Sequence, residues 1–290
     1  MSHARPGSVD ELLELRARHP DWRIVAGGTD LMVEVNFGRS RPAGLIDVSA
    51  VDGLDALVCD SDGVRIGAGV TFARLERDPR SQLAGLATAA RAVASPQIRS
   101  VATLGGNMAT ASPAGDAHPI LLAGDAVVEV CSVRGRREVP YADFFVSPGH
   151  SVLEADEVIW SAHLPVSDAS SQHFSKVGSR NAMVIAVASV GLVVDWGRRR
   201  VGVGLGSVGP RPTRAPVAEE FLQRVLWPEG AGRPEVSTSD IDEFAELTGA
   251  AATPIDDVRG TADYRRHTVR VMARRTLTWA IQERRSREDA

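Results

Sequence analysis

Cysteine is scarce in this chain, and the two cysteines present limit the chemistry that it can carry alone. Cys59 and Cys131 lie far apart in 290 residues, and neither belongs to a C-x-x-C pair. A four-cysteine iron–sulfur cluster or zinc site within the chain is therefore excluded, and a reducing compartment is expected. The seven histidines form no H-x-x-x-H or H-x-E pair, and no G-x-S-x-G motif occurs. Metal-dependent hydrolysis and α/β-hydrolase chemistry therefore find no support.

The chain also lacks a large excess of charge and a long apolar run. Its formal net charge is −4 and its pI is about 6.0, so no overall field attracts it to nucleic acid or to anionic membranes. The longest apolar run, 182–194, is too short to span a bilayer, and the N-terminus shows no export signal. We therefore expect a cytoplasmic protein without a membrane span and without a nucleic-acid partner.

Short β-branched segments and helix-capping residues predict an α+β chain with two folding units. The first unit, 1–166, mixes strands with helices, whereas the second, 170–290, places three strands before its helices, as α+β proteins do. The strands are expected at 23–26, 44–48, 54–58, 63–68 and 98–104, in a hairpin over 125–139, and at 157–165, 172–178, 184–195 and 200–207. The helices are expected after Ser8 and Thr71, and at 83–94, 117–123, 213–226, 239–248 and 261–284.

Two glycine pairs are the most informative motifs. RIVAGGTDLMVEV at 23–35 and VATLGGNMATASPAGD at 101–116 each interrupt an apolar segment with Gly-Gly. Glycine permits a positive φ and leaves the backbone N–H groups open to an approaching anion. One such loop is equally typical of a tight turn between a strand and a helix, whereas two of them favour a diphosphate held from both sides.

Asp116 and the last helix each allow two interpretations. Asp116 follows the second motif and is suited to accept hydrogen bonds from sugar hydroxyls, to cap the helix at 117–123, or to do both. Arg266, Arg270 and Arg274 form a row on the last helix that is either solvated or faces an acidic partner subunit.

A third glycine motif has a simpler interpretation. GLGSVG at 204–209 matches G-x-G-x-x-G, but Pro210 and Pro212 follow it, so no helix can start in register to bind a pyrophosphate. We interpret this segment as a strand-end turn.

The two glycine motifs resemble those of a known family. AGGTDL at 26–31 and TLGGNMATASPAGD at 103–116 are similar to the flavin motifs of the FAD-binding subunits of molybdenum hydroxylases. KVGSR at 176–180 and DDVRGTADYRRHTVRVMARRTL at 256–277 resemble the C-terminal domain of the same subunits. The resemblance implies a PCMH-type FAD-binding domain of the vanillyl-alcohol-oxidase fold, with α+β subdomains at about 1–50 and 51–166. A smaller C-terminal α+β domain, a three-stranded sheet with helices, follows over 170–290.

The resemblance also implies which residues contact FAD, and it assigns none to catalysis or to a metal. Thr29 stands where some covalent flavoproteins of the wider fold carry the linking histidine, so FAD is expected to bind noncovalently. Val93 matches a position that is often aromatic in the xanthine enzymes. Lys176, the only lysine of the chain, is either a surface residue or a cation that steadies the reduced ring. The implied contacts are Ile24, Val25, Ala26, Gly27, Gly28, Thr29, Asp30 and Leu31 at the pyrophosphate and ribityl chain, Thr103, Leu104, Gly105, Gly106 and Asn107 on the other side, Asp116 at the ribose, Ile159 and Lys176 near the isoalloxazine and adenine ends, and the position of Val93.

Partner subunits are implied as well. In this family a large subunit with a molybdopterin cofactor hydroxylates the substrate, and a small subunit with [2Fe–2S] clusters relays electrons to FAD. The expected assembly is a dimer of heterotrimers, with NAD⁺, a quinone, a soluble carrier or O₂ as the electron acceptor. Two alternatives remain open: a free-standing FAD-dependent oxidoreductase that acts on its own small-molecule substrate, and an assembly protein that has lost its flavin.

Overall fold

The structure is a computed structural model that describes residues 2–228 and 236–289. A small parallel sheet opens the chain, and α1 begins after Ser8, whose hydroxyl accepts a hydrogen bond from the Glu11 N–H at 3.3 Å as a capping residue should. The strand order is β1 (Ser2–Ala4), β3 (Gly44–Asp47), β2 (Arg23–Val25), and the connecting helices are α1 (Val9–Arg18) and α2 (Leu31–Asn36).

A five-stranded antiparallel sheet follows, and it contains the predicted hairpin with Gly135 at its turn. The order across this sheet is β4 (Leu57–Asp60), β5 (Gly63–Gly67), β10 (Val158–Leu164), β6 (Val127–Ser132), β7 (Gly135–Pro140). Five helices and a two-stranded ribbon lie between its strands along the chain: α3 (Phe72–Arg77), α4 (Ala84–Ala92), α5 (Pro96–Val101), α6 (Leu104–Thr110), α7 (His118–Ala123), β8 (Phe145–Ser147) and β9 (His150–Ser151).

The strand predicted at 98–104 is wrong, because this segment forms α5 and the start of α6. Ser95 caps α5 by accepting a hydrogen bond from the Ile98 N–H at 3.4 Å, and Pro96 occupies the first helical position, where its missing N–H costs nothing. Thr103 then makes a single β-bridge to Thr71 before α6 begins. The second glycine pair therefore lies inside the first turn of a helix and not in a loop.

The C-terminal region pairs an antiparallel sheet with three helices. Its three predicted strands and three predicted helices are present, and a fourth strand of two residues extends the sheet beyond the three strands expected. The strands, in order, are β11 (Ser170–Val177), β12 (Ala188–Asp195), β13 (Arg200–Gly206) and β14 (Thr213–Arg214), and the helices are α8 (Pro216–Leu226), α9 (Thr238–Ala250) and α10 (Ala262–Glu288).

The glycines of β12 and β13 allow α7 to lie directly on this sheet. A Cβ placed at Gly191, Gly202 or Gly204 would come closer than 3.0 Å to backbone atoms of Pro119 or Ala123. The G-x-G-x-x-G segment is thus a strand and the turn after it, as expected, and its first glycine serves helix packing.

The arginine row of α10 is partly exposed, as the solvated interpretation expects, with side chains 38–49% exposed. Arg270 pairs with Glu246 at 2.8 Å and Arg274 pairs with Asp242, both on α9, and Arg266 pairs with Asp263 on α10 itself. A contact of this row with an acidic partner subunit stays a prediction.

Buried apolar side chains form two cores, one around the five-stranded sheet and one between β12–β13 and helices α8–α10. Phe174 and Val193 belong to the first core although they lie on β11 and β12. Both cysteines are free thiols. Among the described residues, none of the helices combines the length and apolar character needed to cross a membrane.

Candidate cofactor-binding site

A cavity of about 720 Å³ lies between the N-terminal sheet and the five-stranded sheet. Its volume is within the range of pockets that bury a drug-sized or cofactor-sized ligand. Residues of both glycine motifs line this one cavity. The two motifs, distant in the chain, therefore converge on a single space.

The first motif forms the loop between β2 and α2, and its backbone donors are free. Gly28 has a φ of +69°, which glycine adopts without strain. In the described residues, no carbonyl or side chain accepts a hydrogen bond from the N–H of Gly27, Gly28, Thr29 or Asp30. Four consecutive unpaired N–H groups beside a cavity form a site for an anionic group. The first motif therefore has the chemistry expected of a phosphate-binding loop.

The second motif differs from that expectation. Its N–H groups are already used within the protein, so they form no open cluster of donors for an anion. What it offers to the cavity is the bare Cα of Gly106 and the side chain of Asn107, whose Oδ1 is buried without a hydrogen-bond partner. The first four N–H groups of α6 donate as follows: Leu104 to Val70 O at 2.9 Å, Gly105 to Ala68 O at 2.8 Å, Gly106 to Thr103 Oγ1 at 3.1 Å, and Asn107 to Thr103 O at 3.0 Å.

One hydrogen bond and one close packing contact hold the two motifs together. The hydroxyl of Thr110 on α6 donates to Asp30 Oδ2 at 3.0 Å. A Cβ at Gly27 would lie closer than 3.0 Å to the Val101 carbonyl, so the loop rests directly on the end of α5. The mutual position of the motifs is therefore set by the fold.

Most of the residues implied by the resemblance line the cavity. Leu104, the first residue of α6, does not line it, because its side chain is fully buried in the core. Asp116 and Lys176 do not line it either. The residues found in the lining are Ile24, Val25, Ala26, Gly27, Gly28, Thr29, Asp30, Leu31, Val93, Thr103, Gly105, Gly106, Asn107 and Ile159.

Asp116 and Lys176 instead form a buried ion pair behind the cavity wall. Lys176 Nζ donates to Asp116 Oδ2 at 2.6 Å and to the carbonyl of Ala92 at 3.0 Å, one residue before Val93. Burial raises the pKa of Asp116 to about 6, although the neighbouring ammonium lowers it. Its Oδ1 has no hydrogen-bond partner among the described residues.

This pair corrects two interpretations. Asp116 does not cap α7, whose N-cap position is Ala117 and which has no side-chain cap. Lys176 is not a surface residue, because its side chain is only 10% exposed. The pair joins β11 of the C-terminal sheet to the segment that carries the cavity wall.

Sequence reasoning missed one whole side of the cavity. This side consists of Arg16 on α1, Trp22 and Arg23 at the start of β2, and, at the start of β10 and just before it, Leu153, Glu154, Ala155, Glu157 and Val158. These residues carry no glycine pair, and in the sequence the acidic residues Glu154 and Glu157 and an arginine on an amphipathic helix look like any solvated residues. Only the packing of α1 against the sheets brings them to the cavity.

The residues present fit a cofactor that carries a diphosphate. The loop of the first motif supplies free N–H donors, Gly106 leaves space, and Asn107 Oδ1 is a buried acceptor that needs a donor. Buried polar atoms without partners are costly, so a bound hydroxyl or amide group would stabilise this site.

Two family models match the chain. Residues 1–167 match the FAD-binding domain in molybdopterin dehydrogenase, and residues 173–280 match the CO dehydrogenase flavoprotein C-terminal domain. The chain is 32% identical to the nicotine 6-hydroxylase medium subunit of Paenarthrobacter nicotinovorans, over 96% of each chain. It is 29% identical to the putative xanthine dehydrogenase FAD-binding subunit of Escherichia coli K12, over 97% of this chain and 96% of that one.

Two solved structures match this chain over almost its whole length. Carbon monoxide dehydrogenase from Hydrogenophaga pseudoflava, in a form lacking the Mo-pyranopterin moiety, contains a chain with a TM-score of 0.87, 27% identity and 97% coverage of both chains. Quinoline 2-oxidoreductase from Pseudomonas putida 86 contains one with a TM-score of 0.86, 26% identity and 98% coverage of both. The chain therefore belongs to the FAD-binding medium subunits of the molybdenum hydroxylases, a family of oxidoreductases whose molybdenum and iron–sulfur centres lie in other subunits.

Proposed function

We propose that this chain is the electron-transfer subunit of a cytoplasmic molybdenum hydroxylase. It accepts electrons from the [2Fe–2S] clusters of a small partner subunit and passes them to an external acceptor. A large molybdopterin subunit completes the heterotrimer, and two heterotrimers form the dimer. The observation that carries this proposal is the convergence of both glycine motifs on one cavity, in a chain whose relatives are medium subunits. Both cysteines are free thiols, which supports a reducing compartment.

FAD bound in this cavity supplies reversible one- and two-electron chemistry. The chain's own residues bind and orient it: the free N–H groups of Gly27–Asp30 face its diphosphate, and Gly106 leaves room for the close approach. Asn107 Oδ1 accepts a hydrogen bond from it. Ile24, Val93 and Ile159 supply apolar contacts along the cavity.

Asp116 and Lys176 act differently from the other proposed contacts. Because the pair lies behind Ala92 and Val93, Lys176 holds this part of the wall in place through the Ala92 carbonyl. The contact of Asp116 with a ribose hydroxyl, which the resemblance implies, stays a prediction, because the carboxylate lies outside the cavity lining. Its Oδ1 is buried without a hydrogen-bond partner among the described residues, and such a contact would satisfy that atom.

We also propose that the chain folds as two units, 1–166 and 170–290, the first of them divided at about residue 50. The cavity lies between the two parts of the first unit, and the pair Asp116–Lys176 joins the first unit to the second. The second unit thereby supports the cavity wall from behind.

Purification of the tagged chain from its native cells tests the proposal. We expect two further polypeptides to copurify, together with molybdenum and iron. Nicotine, xanthine and quinoline, which occur in the names of the relatives, then serve as trial substrates. We expect their oxidation to bleach the flavin absorbance only in the complex. Turnover of such a substrate by the isolated FAD-loaded chain would instead support a free-standing oxidoreductase. A colourless chain that takes up no FAD would support the assembly protein.

A further inference from the structure

The backbone carbonyls of three consecutive residues at the end of α4 accept hydrogen bonds from two largely buried cations. Lys176 Nζ donates to the carbonyl of Ala92 at 3.0 Å. Arg99 Nη1 donates to the carbonyl of Val93 at 3.0 Å and to that of Ala94 at 3.3 Å. The side chains of Lys176 and Arg99 are only 10% and 11% exposed. Residues 92–94, which we call the strap, are therefore fixed by side chains from other elements.

Arg99 is itself held in place. It lies on α5, and its Nε donates to Glu76 Oε2 on α3 at 2.8 Å. The strap is thereby connected to α3 and α5 through Arg99 and to β11 through Lys176. These contacts hold Ala94 at a φ of +35°, a conformation that residues with a side chain rarely adopt. Such a conformation persists only where the surrounding structure imposes it.

The fixed carbonyls leave one N–H group free beside the cavity. Val93 and Ala94 line the cavity, whereas Arg99 and Lys176 do not. The C=O and N–H of a trans peptide point in opposite directions, so the Ala94 N–H points away from Arg99. Among residues 2–228 and 236–289, no backbone or side-chain group accepts a hydrogen bond from this N–H. The charge of Arg99 at the Val93 carbonyl polarises the same peptide and makes its N–H a stronger donor.

This donor differs from those of the phosphate-binding loop. The N–H groups of Gly27–Asp30 form a cluster that suits a group with a fixed negative charge. The strap instead offers a single polarised donor next to the apolar side chain of Val93, which suits the edge and the face of a flat ring. A donor fixed in this way stabilises negative charge that develops on the ring, because it needs no reorganisation when the charge appears. The isoalloxazine ring is the part of FAD that gains charge on reduction.

We propose that Arg99 is a positioning residue that raises the reduction potential of bound FAD by holding the Ala94 N–H toward the isoalloxazine ring. This inference rests on the proposed function, because it assumes that FAD occupies the cavity. Arg99 does not contact FAD and acts through the Val93–Ala94 peptide. On reduction the ring takes up two electrons from the [2Fe–2S] clusters of the small subunit and one proton from water, and it then carries a negative charge. The donor binds this form more tightly than the neutral oxidised form, so the potential rises.

Redox titration of the FAD-loaded full-length chain tests the proposal. The potential is measured anaerobically against a reference dye, and the affinity for oxidised FAD is measured separately by fluorescence. The variants are Arg99→Met, Arg99→Gln and Arg99→Lys. The matched control is Arg91→Met on α4, because Arg91 is exposed, does not line the cavity and lies one residue before the strap. This control removes a charge near the strap while Arg99 stays in place.

We expect Arg99→Met to weaken the binding of reduced FAD about tenfold more than the binding of oxidised FAD, since the Ala94 N–H loses its orientation. A ratio of about ten lowers the two-electron potential by about 30 mV. Arg99→Gln, which keeps an amide donor without the charge, should shift the potential in the same direction by less. Arg99→Lys should restore part of the potential, because it keeps the charge without the planar fork. In Arg91→Met the ratio should stay within about twofold of the wild type, because an exposed charge is screened by water.

Other results would overturn the inference. A lower affinity for oxidised FAD with an unchanged potential in Arg99→Met would assign Arg99 a purely structural role. Equal shifts in Arg99→Met and Arg91→Met would show a general effect of charge and not one of the strap. If Arg99→Met does not fold, Arg99→Gln decides, and a wild-type potential in that variant would contradict the proposal. These results leave the proposed function unchanged, whereas a wild-type chain that takes up no FAD would reject the proposed function together with the inference.

Discussion

The glycines under α7 and those around the cavity are needed for different reasons. On β12 and β13, Gly191, Gly202 and Gly204 are required because a helix backbone rests on the strands, and any Cβ there would collide with it. No ligand is involved. A motif that matches a dinucleotide fingerprint in sequence is, in three dimensions, a surface for helix packing.

The glycines of the cavity divide into two groups. Gly27 lies against the Val101 carbonyl and Gly105 against Ala68, so the fold itself requires them. Gly106 is different, because a Cβ there would meet only the Thr103 hydroxyl, at 3.1 Å. Of these three, only Gly106 lacks a backbone or Cβ contact that excludes a side chain, and we propose that its reason lies in the ligand. Substitutions can test this division.

The largest loss of stability is expected for Gly204→Ala. Its methyl group would collide with the Pro119 backbone, so α7 must shift away from the sheet, and the free energy of unfolding should fall by about 3 kcal/mol or more. Urea unfolding followed by circular dichroism measures this change. Gly7→Ala is the control, because nothing lies within 4 Å of its Cβ position, and its stability should be unchanged. Equal stability of the two variants would contradict the packing role.

A smaller, pH-dependent change in the free energy of unfolding is expected from Asp116, which lies between the cavity wall and α7. Its pKa is about 6 in the folded chain against 3.8 for the ordinary group, so the folded protein keeps a proton that the unfolded chain releases. Stability from this group is therefore full below about pH 4 and falls by up to roughly 3 kcal/mol as the pH rises to about 6. Urea unfolding of the wild type and of Asp116→Asn between about pH 4 and pH 7 measures it. A constant difference between the two curves would refute the shift.

Gly27→Ala should destabilise the protein less than Gly204→Ala does, because a loop can shift more easily than a helix that is packed on a sheet. We expect a loss of about 1–2 kcal/mol in the free energy of unfolding, with the loop displaced from Val101. Displacement also disturbs the free N–H groups, so FAD affinity should fall in parallel. Unfolding with and without FAD separates the two losses. Wild-type FAD affinity in a destabilised variant would show that the loop does not bind the cofactor.

The smallest effect on stability, and the sharpest on binding, is expected at Gly106. Gly106→Leu places its side chain in the cavity, while helix propensity offsets the contact with Thr103, so stability should stay within about 1 kcal/mol. FAD uptake should be lost, and Gly106→Ala should retain part of it. Full flavin absorbance in purified Gly106→Leu would show that this position does not adjoin the ligand.

Local patterns account for most elements of this fold. The C-terminal strands have long apolar runs, and Ser8 and Thr71 cap their helices through their own hydroxyls. The failure at 98–104 has an equally local cause: Ile98 and Val101 suggest a strand, yet Ser95 and Pro96 start a helix. Helix capping outweighed β-propensity there. As a result, the second glycine pair lies in the first turn of a helix and not after a strand, as expected from the sequence.

The sequence by itself determined the family, the α+β class and the two motifs that reach the cavity, because each depends on contiguous residues. Only the tertiary structure decided which side chains surround that cavity and which are held elsewhere. Arg16 joins the site through the packing of α1, and Asp116 and Lys176 meet across 60 residues, behind the wall and outside the lining. Such contacts depend on how helices rest on sheets, and for α7 that depends on the missing side chains of glycines in another part of the chain.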